Sequence, residues 1–194
     1  MIALNSTRPA RSRLTSGSAQ GERAALLRGE ILLETSSHTA WGGAVTARMY
    51  LSATRSRVWQ QLTDYPNWVN FFPDLNRSEV LQQGVDVTHA DTSPKRYKRL
   101  YQAASKSLLI FSARVEVYLR VYEILQQQLQ FRLEKGDFLD FSADLQLQDW
   151  NNGTLLTYAV RATPSIPIPS LFMQQVMQLG LPDNMRQMRR VLCG

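Results

Sequence analysis

Cysteine and histidine are nearly absent from this chain of 194 residues: Cys193 is the one cysteine, and His38 and His89 are the two histidines. A lone cysteine has no intramolecular partner, which excludes a disulfide-stapled secreted scaffold. These three residues also fall short of the four nitrogen and sulfur ligands of a structural zinc site, and no cofactor is expected. No apolar run approaches the roughly 20 residues that span a bilayer. Residues 1–25 lack the apolar stretch of a secretory signal. What remains has an ordinary globular composition, 44% hydrophobic and 20% charged. It is long enough for one domain with a sizeable core and a tail, and a cytoplasmic location is expected.

Charge is unevenly distributed. The 22 basic residues exceed the 16 acidic ones by six, yet Arg8, Arg11, Arg13, Arg23 and Arg28 face Glu22 alone near the start. The balanced remainder argues against a nucleic-acid-binding body. Two local basic clusters, Lys95-Arg96-x-Lys98-Arg99 and Arg186-x-x-Arg189-Arg190, read as solvated faces. Residues 1–25, rich in Ser, Thr, Arg, Gly and Ala, read as a disordered basic leader; the same composition would suit a plastid transit peptide. The folded domain is expected over residues 26–194.

Hydrophobic periodicity sets the architecture. Residues 30–34 and 44–51 flank Trp41-Gly42-Gly43 as a hairpin. The period then changes: Ser52 or Thr54 can cap a helix running to about Asp64 with Val58, Trp59 and Leu62 on one face. Tyr65-Pro66 stops it, and Asn67–Phe72 supplies one or two further turns. From Asn76 to Thr163 the period is two. Val115, Val117, Leu119 and Val121 share one face, as do Leu129, Phe131 and Leu133, then Leu139, Phe141, Ala143 and Leu145. Lys135-Gly136-Asp137 and Asn151-Asn152-Gly153 read as tight turns. One-sided strands on short turns make an antiparallel sheet, dry on one face. After the stiff segment Pro164–Pro169, a helix carries Leu171, Phe172, Val176 and Leu179. Gly180-Leu181-Pro182-Asp183 interrupts it before Met185, Met188 and Leu192. The expected fold class is α+β. A curved antiparallel sheet of about seven strands wraps a long C-terminal helix, with two short helices after the first core strand.

Val58-Trp59-x-x-Leu62-Thr63-Asp64-Tyr65, followed by Trp68, Phe71, Pro73 and Leu75, resembles the opening signature of the START-like (SRPBCC) superfamily. More narrowly it is similar to the polyketide cyclase/dehydrase and lipid transport group, which includes coenzyme-Q-binding START-domain proteins and bacterial ribosome-association relatives. Gly136-Asp137-Phe138, Pro164-x-x-Pro167 and the interrupted last helix look like cyanobacterial and plastid members. The resemblance implies a helix-grip fold with an apolar space between sheet and C-terminal helix.

No constellation for nucleophilic catalysis is present, because His38 and His89 fall in polar connections and a triad needs its base beside the serine. Asp137, Asp140 and Asp144 read as solvated, and Asp64 as a turn residue. The chain is therefore read as a binding protein rather than an enzyme. The expected lining of the space is Trp59, Phe71, Phe72, Val117, Phe131 and Phe141, with Tyr158, Phe172 and Val176. Tyr97, Arg99 and Tyr101 share a strand face and are candidates to fix a polar head. The methionines of the last helix offer adaptable apolar surface. The partner implied by the resemblance is a hydrophobic small molecule, an isoprenoid quinone or a lipid, with transient membrane-surface contact. A cyclase or dehydratase activity and a ribosome- or protein-docking role are the alternatives.

Overall fold

The computed structural model describes residues 16–86, 95–108, 111–166 and 170–194. Side chains are described for all of these except 16–18, 106–108, 111–113, 170–177 and 179. Among them, eight strands form one antiparallel sheet: β1 (Leu32–Ser37), β2 (Gly43–Leu51), β3 (Leu75–Asp86), β4 (Lys95–Leu108), β5 (Phe111–Ile124), β6 (Gln128–Gly136), β7 (Phe138–Trp150) and β8 (Gly153–Pro164). Their order is β1-β2-β8-β7-β6-β5-β4-β3. Three α-helices accompany them, α1 (Ser16–Leu27), α2 (Arg55–Leu62) and α3 (Ser170–Cys193), together with a 3-10 helix over Tyr65–Asn70. The expected α+β class holds, with eight strands where about seven were counted.

The topology explains why the short helices exist. β2 and β3 are consecutive in sequence but lie toward opposite edges of the sheet, so α2 and the 3-10 helix carry the chain across its concave face. Thr54 starts α2, its hydroxyl accepting from the Arg57 amide. Val58, Trp59 and Leu62 point into the core, as their spacing predicts. At the far end of the sheet, Asn151 and Asn152 both take positive φ, 50° and 63°, so Trp150 pairs directly with Gly153 in a two-residue hairpin. Gly136 has φ 147°, and a Cβ there would stand 2.3 Å from the Glu116 carbonyl oxygen.

One continuous core occupies the concave side. It joins Met49 and Leu51 of β2, Leu100 of β4, Leu119 and Val121 of β5, Leu129 and Phe131 of β6, and Leu145 and Leu156 of β7 and β8. Leu181, Met185, Met188 and Leu192 of α3 are buried in the same cluster. α3 packs against β1, β2, α2 and the 3-10 helix. Side-chain bonds fix it along its length: Gln178 donates to Thr35 (2.9 Å) and Gln187 to the Asn70 carbonyl (3.0 Å).

Four expectations are corrected. Residues 16–25, read as part of a disordered leader, belong to α1, while residues 1–15 lie outside the described ones. α1 docks through Ala25 and Leu26 and is held by Arg23 to Asn151 (2.9 Å) and Glu22 to Arg48 (3.2 Å). It ends at Gly29, φ 86°, with Gly29 N–H bonded to Leu26 and Glu30 N–H to Ala25, the double closure that glycine permits. Second, α3 runs unbroken through Pro182, because its buried face offsets one lost backbone bond. Third, Cys193, expected to be frayed and without a positioned partner, ends α3 packed against the core, with Leu192 fully buried. Fourth, a register shift between Phe138 and Asp140 turns Leu139 outward, where it is exposed, and Phe138 inward.

Candidate functional site

The concave face is where apolar groups and unspent polar groups converge. The 3-10 helix lays an aromatic row across it. Tyr65 meets Phe131 edge-on at 6.2 Å, Phe131 lies 4.9 Å from Trp68, Trp68 stacks on Phe72 at 5.6 Å, and Phe72 reaches Tyr158 at 6.3 Å. The Trp68 indole N–H donates to the Leu62 carbonyl at 2.8 Å, so its ring is fixed at both its polar and apolar ends. A segment this short cannot bury three rings around its own circumference. Trp68 and Phe71 are in fact fully enclosed, since the sheet curves around the segment; Phe72 keeps a partly accessible edge.

Beyond Phe72 the concave face is less completely covered. Leu75, Val115, Leu133, Phe138 and Phe141 are packed against the core but only partly buried, and Val117 lies among them. Tyr158 stands beside Phe72 on β8, between Leu145 of β7 and Ala47 of β2. Its side chain is buried and its hydroxyl has no hydrogen-bond partner among the described residues; burial alone pushes this phenol well above its ordinary pKa. On β4 and β3, Gln102 Nε2 donates to the Ser78 hydroxyl at 3.2 Å, both side chains buried.

A second feature opens at the other end of the same face. Trp59, Val121 and Leu125, together with Gln83, Val85, Arg96, Lys98 and Glu123, line a groove of about 470 Å³. At its base Glu123 accepts from the Tyr65 hydroxyl (2.6 Å) and pairs with Lys98 (2.8 Å), whose ammonium also lies 5.1 Å from the Tyr65 ring centroid. Burial first, and then the Glu123 carboxylate, hold the Tyr65 phenol above its ordinary pKa.

The structure brings together Trp59, Phe71, Phe72, Val117, Phe131, Phe141 and Tyr158 on the concave side. It separates Tyr97, Arg99 and Tyr101 from them. Leu100 is the fully buried member of that stretch, so its neighbours face outward. Arg99 pairs with Glu134; Tyr101 lies under Arg77 and against Tyr118; the Tyr97 ring lies 4.4 Å from the Arg120 guanidinium carbon, although Tyr97 also touches the groove's rim. The side chains of Phe172 and Val176 lie outside the described residues, as does His89. His38 pairs with Asp140 on the outer face, and Asp144 with Arg132. Sequence reasoning missed Lys98, Glu123 and Tyr65: Lys98 was absorbed into a basic cluster and Tyr65 into a helix stop. The available signal was that Lys98 alternates in step with Leu100.

Among the described residues no group of three or more His, Cys, Asp or Glu is placed to hold a metal ion, and no helix is long and apolar enough to cross a membrane. The sequence model for polyketide cyclase / dehydrase and lipid transport matches residues 51–189. No curated protein matches the sequence. Solved structures share the fold at low identity. A START superfamily protein from Mycobacterium smegmatis superposes with a TM-score of 0.61 at 14% identity, covering 77% of this chain and 96% of that one. The STAR-related lipid transfer protein fragment from Xanthomonas axonopodis gives 0.56 at 15%, covering 82% and 98%. The Zhui aromatase/cyclase from Streptomyces sp. R1128 gives 0.56 at 11%, covering 84% and 93%.

Proposed function

The chain belongs to the polyketide cyclase/dehydrase and lipid transport family, and from that premise we propose that it binds and carries a hydrophobic small molecule against the concave face of its sheet. An isoprenoid quinone or a lipid is the class of ligand favoured. The observation that carries this reading is Tyr158, a buried tyrosine whose hydroxyl makes no hydrogen bond among the described residues, beside partly buried aromatic rings. A ligand carbonyl or hydroxyl bonded to it adds a net ~0.5–1.5 kcal/mol. Covering about 300 Å² of ligand surface adds roughly 7 kcal/mol at ~25 cal/mol per Å², before ordering costs. The STAR-related lipid transfer neighbour is in keeping with this reading through fold alone.

A cyclase or dehydratase would need a free acid or base facing the same space. Lys98 and Glu123 neutralise one another, and Tyr65 and Tyr158 are both held protonated, so binding is the favoured reading. The test is solvent extraction of the purified protein followed by mass spectrometry, alongside titration with a ubiquinone analogue and a fluorescent fatty acid. Binding to one of these, weakened about tenfold in Tyr158→Phe and lost in Phe141→Asp, supports the reading. No bound molecule in the extract and no affinity for either probe would overturn it.

A further inference from the structure

The mouth of the groove beside Trp59 is chemically unlike the rest of the surface. Val85 and Leu125 line it and are exposed, as is Ile124 next to Leu125 at the end of β5. Leu125 is the extreme case. It sits at 72% exposure next to Gln126, which takes φ 54° in a turn closed by the Gln127 N–H to the Ile124 carbonyl at 2.8 Å. Tight turns ordinarily present Gly, Asn, Asp or Ser to water. A leucine held at such a tip gains nothing from the fold and is available to something outside it.

Among the described residues, the charge around this tip that lacks an ion-pair partner is basic. Arg96 lines the groove opposite Val85, and Lys95 stands next to it; both are exposed, and neither has an ion-pair partner among the described residues. Lys98 is compensated by Glu123, and Asp86 is engaged with Arg120 and Tyr122 on the outer face. Among the described residues that leaves two cations without an ion-pair partner beside a protruding apolar finger. Exposed apolar groups flanked by unpaired basic ones match a bilayer, whose headgroups carry the negative charge and whose interior accepts the side chains.

We propose that the end of the sheet formed by Val85, the Ile124–Gln127 turn, Lys95 and Arg96 docks on an anionic lipid bilayer, with Leu125 inserted below the headgroups. This surface is argued separately from the Tyr158 site, and its test does not depend on any ligand being carried. The full-length protein is sedimented with vesicles of phosphatidylcholine alone and of phosphatidylcholine mixed with phosphatidylglycerol. Binding is expected to the mixed vesicles, weakening as salt rises. Leu125→Asp should abolish it, and Lys95→Gln with Arg96→Gln should weaken it about thirtyfold, at roughly fivefold per basic side chain near an anionic surface. Leu139→Asp, which alters an equally exposed leucine on another strand, should leave it unchanged. Circular dichroism checks that each variant is folded.

Three outcomes overturn the proposal. The first is no sedimentation with either vesicle. The second is binding that persists in Leu125→Asp and in the double variant, which places the contact elsewhere. The third is self-association seen by sedimentation velocity without vesicles and lost in Leu125→Asp, which makes the patch an interface between copies of the chain.

Discussion

Tyr158 illustrates how much a single hydroxyl can carry. On the concave face it packs among apolar groups, its hydroxyl makes no hydrogen bond among the described residues, and the fold keeps it protonated because burial disfavours the phenolate. Tyr65 is held protonated by burial and by the Glu123 carboxylate it donates to. Both folded-state pKa values are raised, so their contribution to stability is fully present below the ordinary tyrosine value of 10.0. It is lost as pH climbs from there toward the folded values, because unfolded tyrosines ionise first. Urea unfolding followed against pH should therefore show a decline beginning near pH 10, shallower in Tyr158→Phe than in the parent. Below that pH the same variant should be as stable as the parent or slightly more so, since it removes a hydroxyl that makes no hydrogen bond among the described residues. A loss of stability at neutral pH would mean the hydroxyl already has a partner.

The elements differ in what they contribute. The 3-10 helix over Tyr65–Asn70 is too short to stand alone, yet it plugs the middle of the sheet with Trp68 and carries Tyr65 to Glu123. Trp68→Ala should cost about 3–5 kcal/mol, read as a lower urea midpoint with near-native circular dichroism below it. α3 is held from the opposite cause. It keeps Pro182 inside its run because Leu181, Met185, Met188 and Leu192 bury one side. Pro182→Ala restores a backbone donor toward Gln178 and should stabilise the protein by ~1–3 kcal/mol, given that an interior proline costs about 3. A thermal melt with unchanged or lower Tm would show that the helix is shaped around the proline.

Taken as a single body, the molecule has its two working ends on one concave surface. The partly buried Phe72, Leu133, Phe138 and Phe141 lie beyond the aromatic row, and the groove with its leucine tip lies before it. Any ligand that binds only the folded chain must stabilise it by mass action. At about a hundredfold excess over Kd that amounts to about 2.7 kcal/mol, or about 5–10 °C in Tm for a domain of this size at 2–4 °C per kcal/mol. Differential scanning fluorimetry with the ubiquinone analogue should register that rise in the parent and a smaller one in Tyr158→Phe. An equal shift in both would mean that Tyr158 does not hold the ligand's polar group.

Alternation and turn chemistry alone determined that this chain makes an antiparallel sheet with a dry face and a closing helix. The strands around Leu119, Phe131 and Leu145 carry apolar residues on one side only, so a single face can be buried whatever the neighbours are. Asn151-Asn152-Gly153 and Thr54 acted locally, and local chemistry is present in the sequence. β4 is the contrary case. Lys98, Leu100 and Gln102 form one set and Tyr97, Arg99 and Tyr101 the other, each half polar, so periodicity yields two sets without saying which is inside. Pairing with Leu119 of β5, beneath the crossing 3-10 helix, decided it, turning the tyrosines and Arg99 outward and Lys98 toward Glu123. The shift that exchanged Leu139 for Phe138, and the enclosure of Trp68, have the same origin. Which side of a mixed strand meets water is a property of what packs across it, and that partner is remote in sequence.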